Sequence, residues 1–364
     1  MLAWAFVLKF LKAFMSETVK LISIGTAVPP YVIDQHDAAV ASHGAFASRF
    51  GDFDRLSKVF ESAGIKRRYG VRPIDWYLKT SGWQDRNAAY IEGASELFFD
   101  SAGKALEAAN LAASQVDFVV TVSSTGIATP SLDARVSTRL GFRNNVVRVP
   151  VFGLGCAGGV SGLAIASQLA SSKPGCVVLM VAVETCTLAF RMDKLTKANI
   201  VATALFGDGA AACVISAARD GIAEVEMSGQ HSWPDTLDIM GWSVDPEGLG
   251  VIFDRAIPPF AEANIKPAIS AILAQSGLSL SDIDRFACHP GGAKVIDAFE
   301  SALELRQGTL NHEREVLSDY GNMSAPTALF VLERLIAAGL PARTILTAMG
   351  PGFTASCVSL KAAA

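Results

Sequence analysis

Charge is scarce in this chain, and an excess of either sign is missing. Asp, Glu, Lys and Arg make up 18 % of the 364 residues, where about a quarter is usual. Thirty-one Lys and Arg face thirty-five Asp and Glu, a net charge of −4. Nothing therefore draws the chain as a whole to nucleic acid or to an anionic membrane surface. Cysteine is sparse and scattered: the six, at 156, 176, 186, 213, 288 and 357, form no Cys-x-x-Cys pair. That excludes the common zinc spacings and a small disulfide framework, and suits reduced thiols in a cytoplasmic protein. Long hydrophobic runs are absent too. A membrane span needs about 18 consecutive apolar residues, and the longest apolar stretch, 176–190, is broken by Glu184, Thr185 and Thr187. What the chain has is apolar mass, 51 %, enough for a large core. Its length is roughly two domains at about 150 residues each, which excludes a disordered or collagen-like chain.

The first fourteen residues, MLAWAFVLKFLKAF, are apolar and aromatic apart from Lys9 and Lys12. They have neither the cationic start nor the small-residue cleavage site of a signal peptide. An amphipathic appendage and a stretch ahead of a true start at Met15 explain them equally, so residues 1–15 are set aside from the fold. From Lys20 short β-rich runs alternate with helical patterns. Strands are expected at 21–23, 117–123, 145–151, 176–183, 211–216, 285–288 and 344–348. Helices are expected at 85–110, 131–140, 158–170, 258–276, 293–305 and 325–338. Uninterrupted apolar strands point to a sheet covered on both faces. Two α/β halves, 16–225 and 226–364, follow, with no low-complexity linker between them.

Three strand-to-helix junctions carry chemistry. In Gly153-Leu154-Gly155-Cys156-Ala157-Gly158-Gly159 a cysteine sits at a helix N-terminus, where free N–H groups and the helix dipole favour thiolate. The glycines permit a sharp turn and close approach of a substrate. Alone, the motif equally fits a small buried cysteine in a tight turn. Cys288-His289-Pro290-Gly291-Gly292 and Gly321-Asn322-Met323-Ser324-Ala325-Pro326 mark the other two junctions. Singly, each suits a structural turn. Converging, they would let His289 hold a thiolate as an ion pair, with the His289 and Asn322 N–H groups forming an oxyanion hole.

With these three motifs in order, the sequence resembles the type III polyketide synthases, the chalcone-synthase-like branch of the thiolase-fold condensing enzymes. The segments Ile65-Lys66-Arg67-Arg68-Tyr69, Leu205-Phe206-Gly207-Asp208-Gly209 and Met349-Gly350-Pro351-Gly352-Phe353 match as well, so the likeness runs from about Lys20 to Leu360. It implies an α/β thiolase-like fold, two related halves in a layered α-β-α-β-α arrangement, and a homodimer. It also implies that Cys156 takes an acyl group from an acyl-CoA starter. His289 and Asn322 would then bind the malonyl-CoA carbonyl and stabilise the enolate left by decarboxylation. Neither a metal nor a resident organic cofactor is required.

By the same resemblance Phe206 is the gatekeeper aromatic between CoA tunnel and cavity, and Cys186 lines the cavity. Arg55 and Lys58 meet the CoA phosphates, while Ser62 stands where plant enzymes carry a third basic residue. Lys66, Arg67 and Arg68 read as a solvated charge run. Val251 replaces a second gatekeeper phenylalanine. Met349, with Gly350, Pro351 and Gly352, replaces an aromatic-bearing loop, and Thr129 replaces a methionine that reaches across the dimer. These smaller or more flexible groups point to a medium- or long-chain acyl starter and an alkylpyrone or alkylresorcinol product. Two alternatives stay open: an initiating β-ketoacyl-ACP synthase, against which HPGG and Met323 speak, and a non-catalytic acyl-CoA-binding protein. Cys357 is expected in a strand core, as are Cys176 and Cys213, with Cys288 turned away from His289. His36, His43, His231 and His312 read as surface or structural.

Overall fold

The computed structural model describes residues 18–79, 82–173 and 175–363; the expectation for residues 1–15 lies outside them. Period-two burial dictates the strands. Along Val177–Thr185, Val178, Met180 and Ala182 turn to one face, while Val177, Leu179, Val181 and Val183 turn to the other. Both faces are buried, as the uninterrupted apolar run required.

In chain order the strands are β1 (Lys20–Ala27), β2 (Tyr31–Asp34), β3 (Arg67–Gly70), β4 (Phe118–Val122), β5 (Val147–Val151), β6 (Val177–Thr185) and β7 (Asp208–Ser216). They continue with β8 (Ala223–Ser232), β9 (Met240–Asp245), β10 (Gly248–Phe253), β11 (Arg285–Cys288), β12 (Arg343–Gly350) and β13 (Thr354–Ala362). Nine of them line up as β11-β12-β13-β8-β1-β7-β6-β4-β5. The seam between β8 and β1 is thin, resting on Lys20↔Glu224 and Leu21↔Ala223. In effect two half-sheets meet there, and each contains a parallel pair next to an antiparallel one: β4 with β6 and β7, β11 with β12 and β13.

Three apolar clusters set the layers. Between the half-sheets lie the helices Gly158–Ser172 and Thr327–Ala337, whose Val160, Leu163, Leu329 and Leu332 pack with β4, β6, β12 and β13 residues. Outside the first half-sheet runs the helix Trp83–Ala108, through Ala94, Leu97 and Phe98. Outside the second run Ile257–Ala274 and Ala293–Ala302, through Ile265, Ile269, Ile296 and Phe299. The result is α-β-α-β-α, as expected. Among the described residues no helix is long and apolar enough to cross a membrane.

The central helices approach so closely that a β-carbon on Gly159 would stand 2.1 Å from the Ala325 carbonyl oxygen. Backbone would have to move, so Gly159→Ala is expected to cost about 1–3 kcal/mol of stability or more, measured as a shift in urea midpoint at unchanged slope.

The alternation left several elements unread. The helices Gln35–Phe46, Phe53–Ser62, Lys197–Leu205 and Asn311–Tyr320 and the hairpin β9–β10 are additional. Cys176, Cys213 and Cys357 pack in the core, as expected. Arg68 corrects the reading of 66–68 as a solvated run. It is 3 % exposed and donates to the Ala204 carbonyl at 2.6 Å, because β3 alternates and turns every second residue inward.

Candidate active site

Cys156 sits in one tight turn, Gly155–Ala157, immediately ahead of the helix Gly158–Ser172. Gly155 has φ +46°, and a β-carbon on it would meet the Pro351 ring at 2.6 Å. One on Gly350 would stand 2.4 Å from the Leu154 carbonyl oxygen. The Met349–Gly352 segment therefore clamps the cysteine turn, a contact that only glycine on each side allows.

His289 follows β11, its N–H donating to the Thr347 carbonyl at 2.8 Å. The residue is 4 % exposed, and its two ring nitrogens have no hydrogen-bond partner among the described residues. Asn322 follows the helix Asn311–Tyr320 after Gly321, whose φ is +69°. Its main chain is tied to the neighbourhood of Phe206: its N–H donates to Leu205 at 2.8 Å, and its carbonyl accepts from Gly207 at 3.0 Å. The side-chain oxygen accepts from the Ser324 N–H at 2.8 Å, and the amide nitrogen donates to the Gly291 carbonyl at 3.1 Å. That leaves the amide a second N–H.

Cys156, His289 and Asn322 line one cavity of about 330 Å³, walled by apolar groups including Met240, Phe253 and Met349. The three junction residues thus converge. Burial dominates their electrostatics. It pushes the Cys156 thiol up to about 11, against hydrogen bonds from Ser324 and Asn322 and with the Glu184 carboxylate pushing the same way. It also pushes the His289 imidazole down to about 3. Each shift is the penalty for burying one charge; moving a proton from thiol to imidazole creates two opposite charges together, which favour each other.

Beyond Phe206 and Cys186 lies a second cavity, of about 530 Å³, lined by Ile33, Ala38, Ile74, Leu78, Phe190 and Ala202 among others. Cys186 is buried, and close enough to Cys156 for charge on one thiol to raise the other. Ser42, Arg68, Tyr77, Thr187 and Thr203 supply this cavity's polar groups. Behind Arg68, Tyr77 and Thr187, Asp208 accepts from the Val71 N–H, the Thr187 N–H and the Thr187 hydroxyl. Burial lifts its carboxyl to about 7.

The remaining expected residues fall elsewhere. Thr129 lies on an exposed loop and lines neither cavity. Val251 is half-buried on β10 and lines neither; the aromatic at this place is its cross-strand partner Trp242, which meets Phe206 edge-on at 6.0 Å. A two-residue hairpin turn pairs them, which the sequence reading missed by leaving β9 and β10 unassigned. Arg55 and Lys58 are exposed, one turn apart on the helix Phe53–Ser62, with Arg55 paired to Asp52. Cys288 packs in the outer cluster, away from the cavity that His289 lines. Ser324, Glu184 and Trp242 are additions. Ser324 was visible in GNMSAP, and Glu184 as an acid inside an apolar strand.

Models for the N-terminal and C-terminal domains of chalcone and stilbene synthases match residues 11–219 and 224–363. The chain belongs to this family of type III polyketide synthases. A 1,3,6,8-tetrahydroxynaphthalene synthase of Streptomyces peucetius is 37 % identical over 93 % of the chain and 92 % of its own length. A putative chalcone synthase of Bacillus subtilis is 35 % identical over 92 % and 96 %. The crystal structure of the Streptomyces coelicolor tetrahydroxynaphthalene synthase superposes with a TM-score of 0.90 at 28 % identity, covering 95 % of this chain and 99 % of that one. This type III polyketide synthase is accordingly an acyl-transferring condensing enzyme with the thiolase-like fold, not a non-catalytic binding protein.

Proposed function

We propose that Cys156 takes an aliphatic acyl group from acyl-CoA, and that malonyl-CoA, decarboxylated against His289 and Asn322, extends it to an alkylpyrone or alkylresorcinol. The thiolate attacks the starter thioester and CoA thiol leaves. Malonyl-CoA then loses carbon dioxide, and its enolate oxygen accepts from the imidazole and amide N–H groups. The enolate carbon attacks the acyl-Cys156 carbonyl, freeing the thiolate and lengthening the chain by a β-keto unit. The observation that carries the aliphatic starter is the apolar cavity beyond Cys186 and Phe206, beside the cavity that holds Cys156. Arg55 and Lys58 are the basic residues offered to the CoA phosphates. The homodimer reading draws support from Ile127 and Phe152, 55 % and 63 % exposed on one cleft beside Thr129. Substrates supply all the reacting groups, so the reaction needs no metal or resident cofactor.

The names of the Streptomyces relatives, tetrahydroxynaphthalene synthases, favour a second reading, a naphthalene product made without an aliphatic starter. Acyl-CoAs of increasing length, offered with malonyl-CoA and followed by product mass, separate the two. Long-chain acyl-CoAs are expected to give alkylated products with kcat/KM rising along the series. Cys186→Phe, which puts a ring on the wall of the apolar cavity, should shift the optimum to shorter chains and lower kcat/KM for the longest by at least ~10-fold. Product from malonyl-CoA alone, undiminished by acyl-CoA, would overturn the aliphatic starter.

A further inference from the structure

β11 is the outermost strand of its half-sheet. Its inner edge is served by β12, through parallel pairs from Arg285↔Thr344 to Cys288↔Thr347. Among the described residues its outer edge has no neighbouring strand, although all four of its residues are buried. The Cys288 N–H points outward there, because the next N–H, that of His289, points inward to Thr347. A buried N–H without a partner is costly. Glu313 meets this one. Its side chain is fully buried, one carboxylate oxygen accepting from the Cys288 N–H at 3.0 Å and the other from the Arg285 guanidinium at 2.6 Å.

Glu313 belongs to the helix Asn311–Tyr320, the one that delivers Asn322. A single buried carboxylate thus joins the strand end that carries His289 to the helix that carries Asn322. The imidazole has no side-chain hydrogen bond to fix it among the described residues, so its position follows from its main chain. That main chain is held by Thr347 on one side and, one residue earlier, by Glu313 on the other.

Resting on the proposed roles of His289 and Asn322, we infer that Glu313 is a positioning residue that sets the distance between these two donors through the Cys288 N–H. Arg285 is its counter-ion and keeps the carboxylate charged inside the core. Burial raises Glu313, and Arg285 opposes that rise.

Removing Glu313 alone strands a buried guanidinium, which is strongly destabilising, whereas replacing a whole buried ion pair by apolar residues is often neutral or better. The informative variants are therefore two double variants, both without the buried ion pair: Arg285→Met/Glu313→Gln, whose amide oxygen still accepts from Cys288, and Arg285→Met/Glu313→Leu, which fills the site but leaves that N–H unheld. The readout is malonyl-CoA decarboxylation, which tests the two donors without acylation of Cys156, alongside thermal unfolding. A sub-ångström displacement of such donors is worth about 10- to 100-fold in rate. The Leu variant is expected to lose at least ~10-fold in kcat at little change in KM for malonyl-CoA, with a Tm that the unheld N–H lowers but that stays above the assay temperature. The Gln variant should stay within about threefold of wild type. Wild-type kcat in the Leu variant, or an equal loss in the Gln variant, would overturn the inference while leaving the proposed function intact. Failure of the wild-type enzyme to decarboxylate malonyl-CoA would overturn both.

Discussion

Cys156→Ala is expected to abolish condensation while leaving malonyl-CoA decarboxylation measurable. The acyl group has nowhere else to be held. Cys186 is buried, and its thiol is pushed well above the ordinary range by burial, with Glu184 and Asp208 adding to it. In the proposed mechanism decarboxylation asks only for the donors of His289 and Asn322, and the substitution leaves both in place, removing only the Asn322 hydrogen bond to the thiol. The loss in product formation should exceed ~10³-fold, the scale seen when a covalent nucleophile is removed from a set that acts as a unit. Mass spectrometry of the intact protein after incubation with an acyl-CoA gives an independent measurement: wild type should gain the acyl mass and Cys156→Ala should not. Acylation of the variant at another residue, with product still formed, would show that Cys156 is not the carrier.

What could be read ahead of the structure divides by the range of the interactions involved. The motif residues Cys156, His289 and Asn322 were legible because each lies in a turn with its own glycines, a local signal that survives without tertiary context; the structure corrects one detail, since Cys156 and His289 sit between strand and helix but Asn322 sits between two helices. β6 and β11 were legible for the same reason: a short apolar run bounded by turn residues can do little else. Val251 was placed by position in the motif, and the structure puts it in neither cavity. Its surroundings depend on which residue faces it across a hairpin. Trp242 was not placed beside Phe206 without that pairing, although Met240, Trp242 and Val244 alternate with Gly241, Ser243 and Asp245 along β9. Arg68 inverted its expected environment because β3 is only four residues long, too short for its period-two burial to show in a run of three basic residues. Glu313 was invisible for a different reason. Its partners, Arg285 and the Cys288 N–H, are brought to it only when β11 becomes an edge strand against the helix Asn311–Tyr320.

The second large effect is expected at the paired donors. Asn322→Ala removes the amide that donates to Gly291 and also the oxygen that accepts from Ser324, so it loses a donor and loosens the turn together. His289→Gln keeps a donor of similar reach and removes the titrating ring. Loss of one oxyanion donor lowers kcat by about 10²–10³, and that is the expected fall in malonyl-CoA decarboxylation for Asn322→Ala. The pH dependence of the cysteine separates the two residues further. An imidazolium close to Cys156 favours thiolate and lowers the thiol's apparent pKa, whereas without that cation burial, opposed by the Ser324 and Asn322 hydrogen bonds and aided by Glu184, holds it at about 11. Wild type should therefore be alkylated by iodoacetamide at a lower pH than His289→Gln, whose rate should keep rising toward pH 11. The direction follows from the charge: removing a cation that stabilises an anion can only raise the thiol's pKa. Alkylation profiles of Cys156 that coincide in the two proteins would mean that the thiol ionises without help from the imidazole. His289 would then act on the malonyl carbonyl alone.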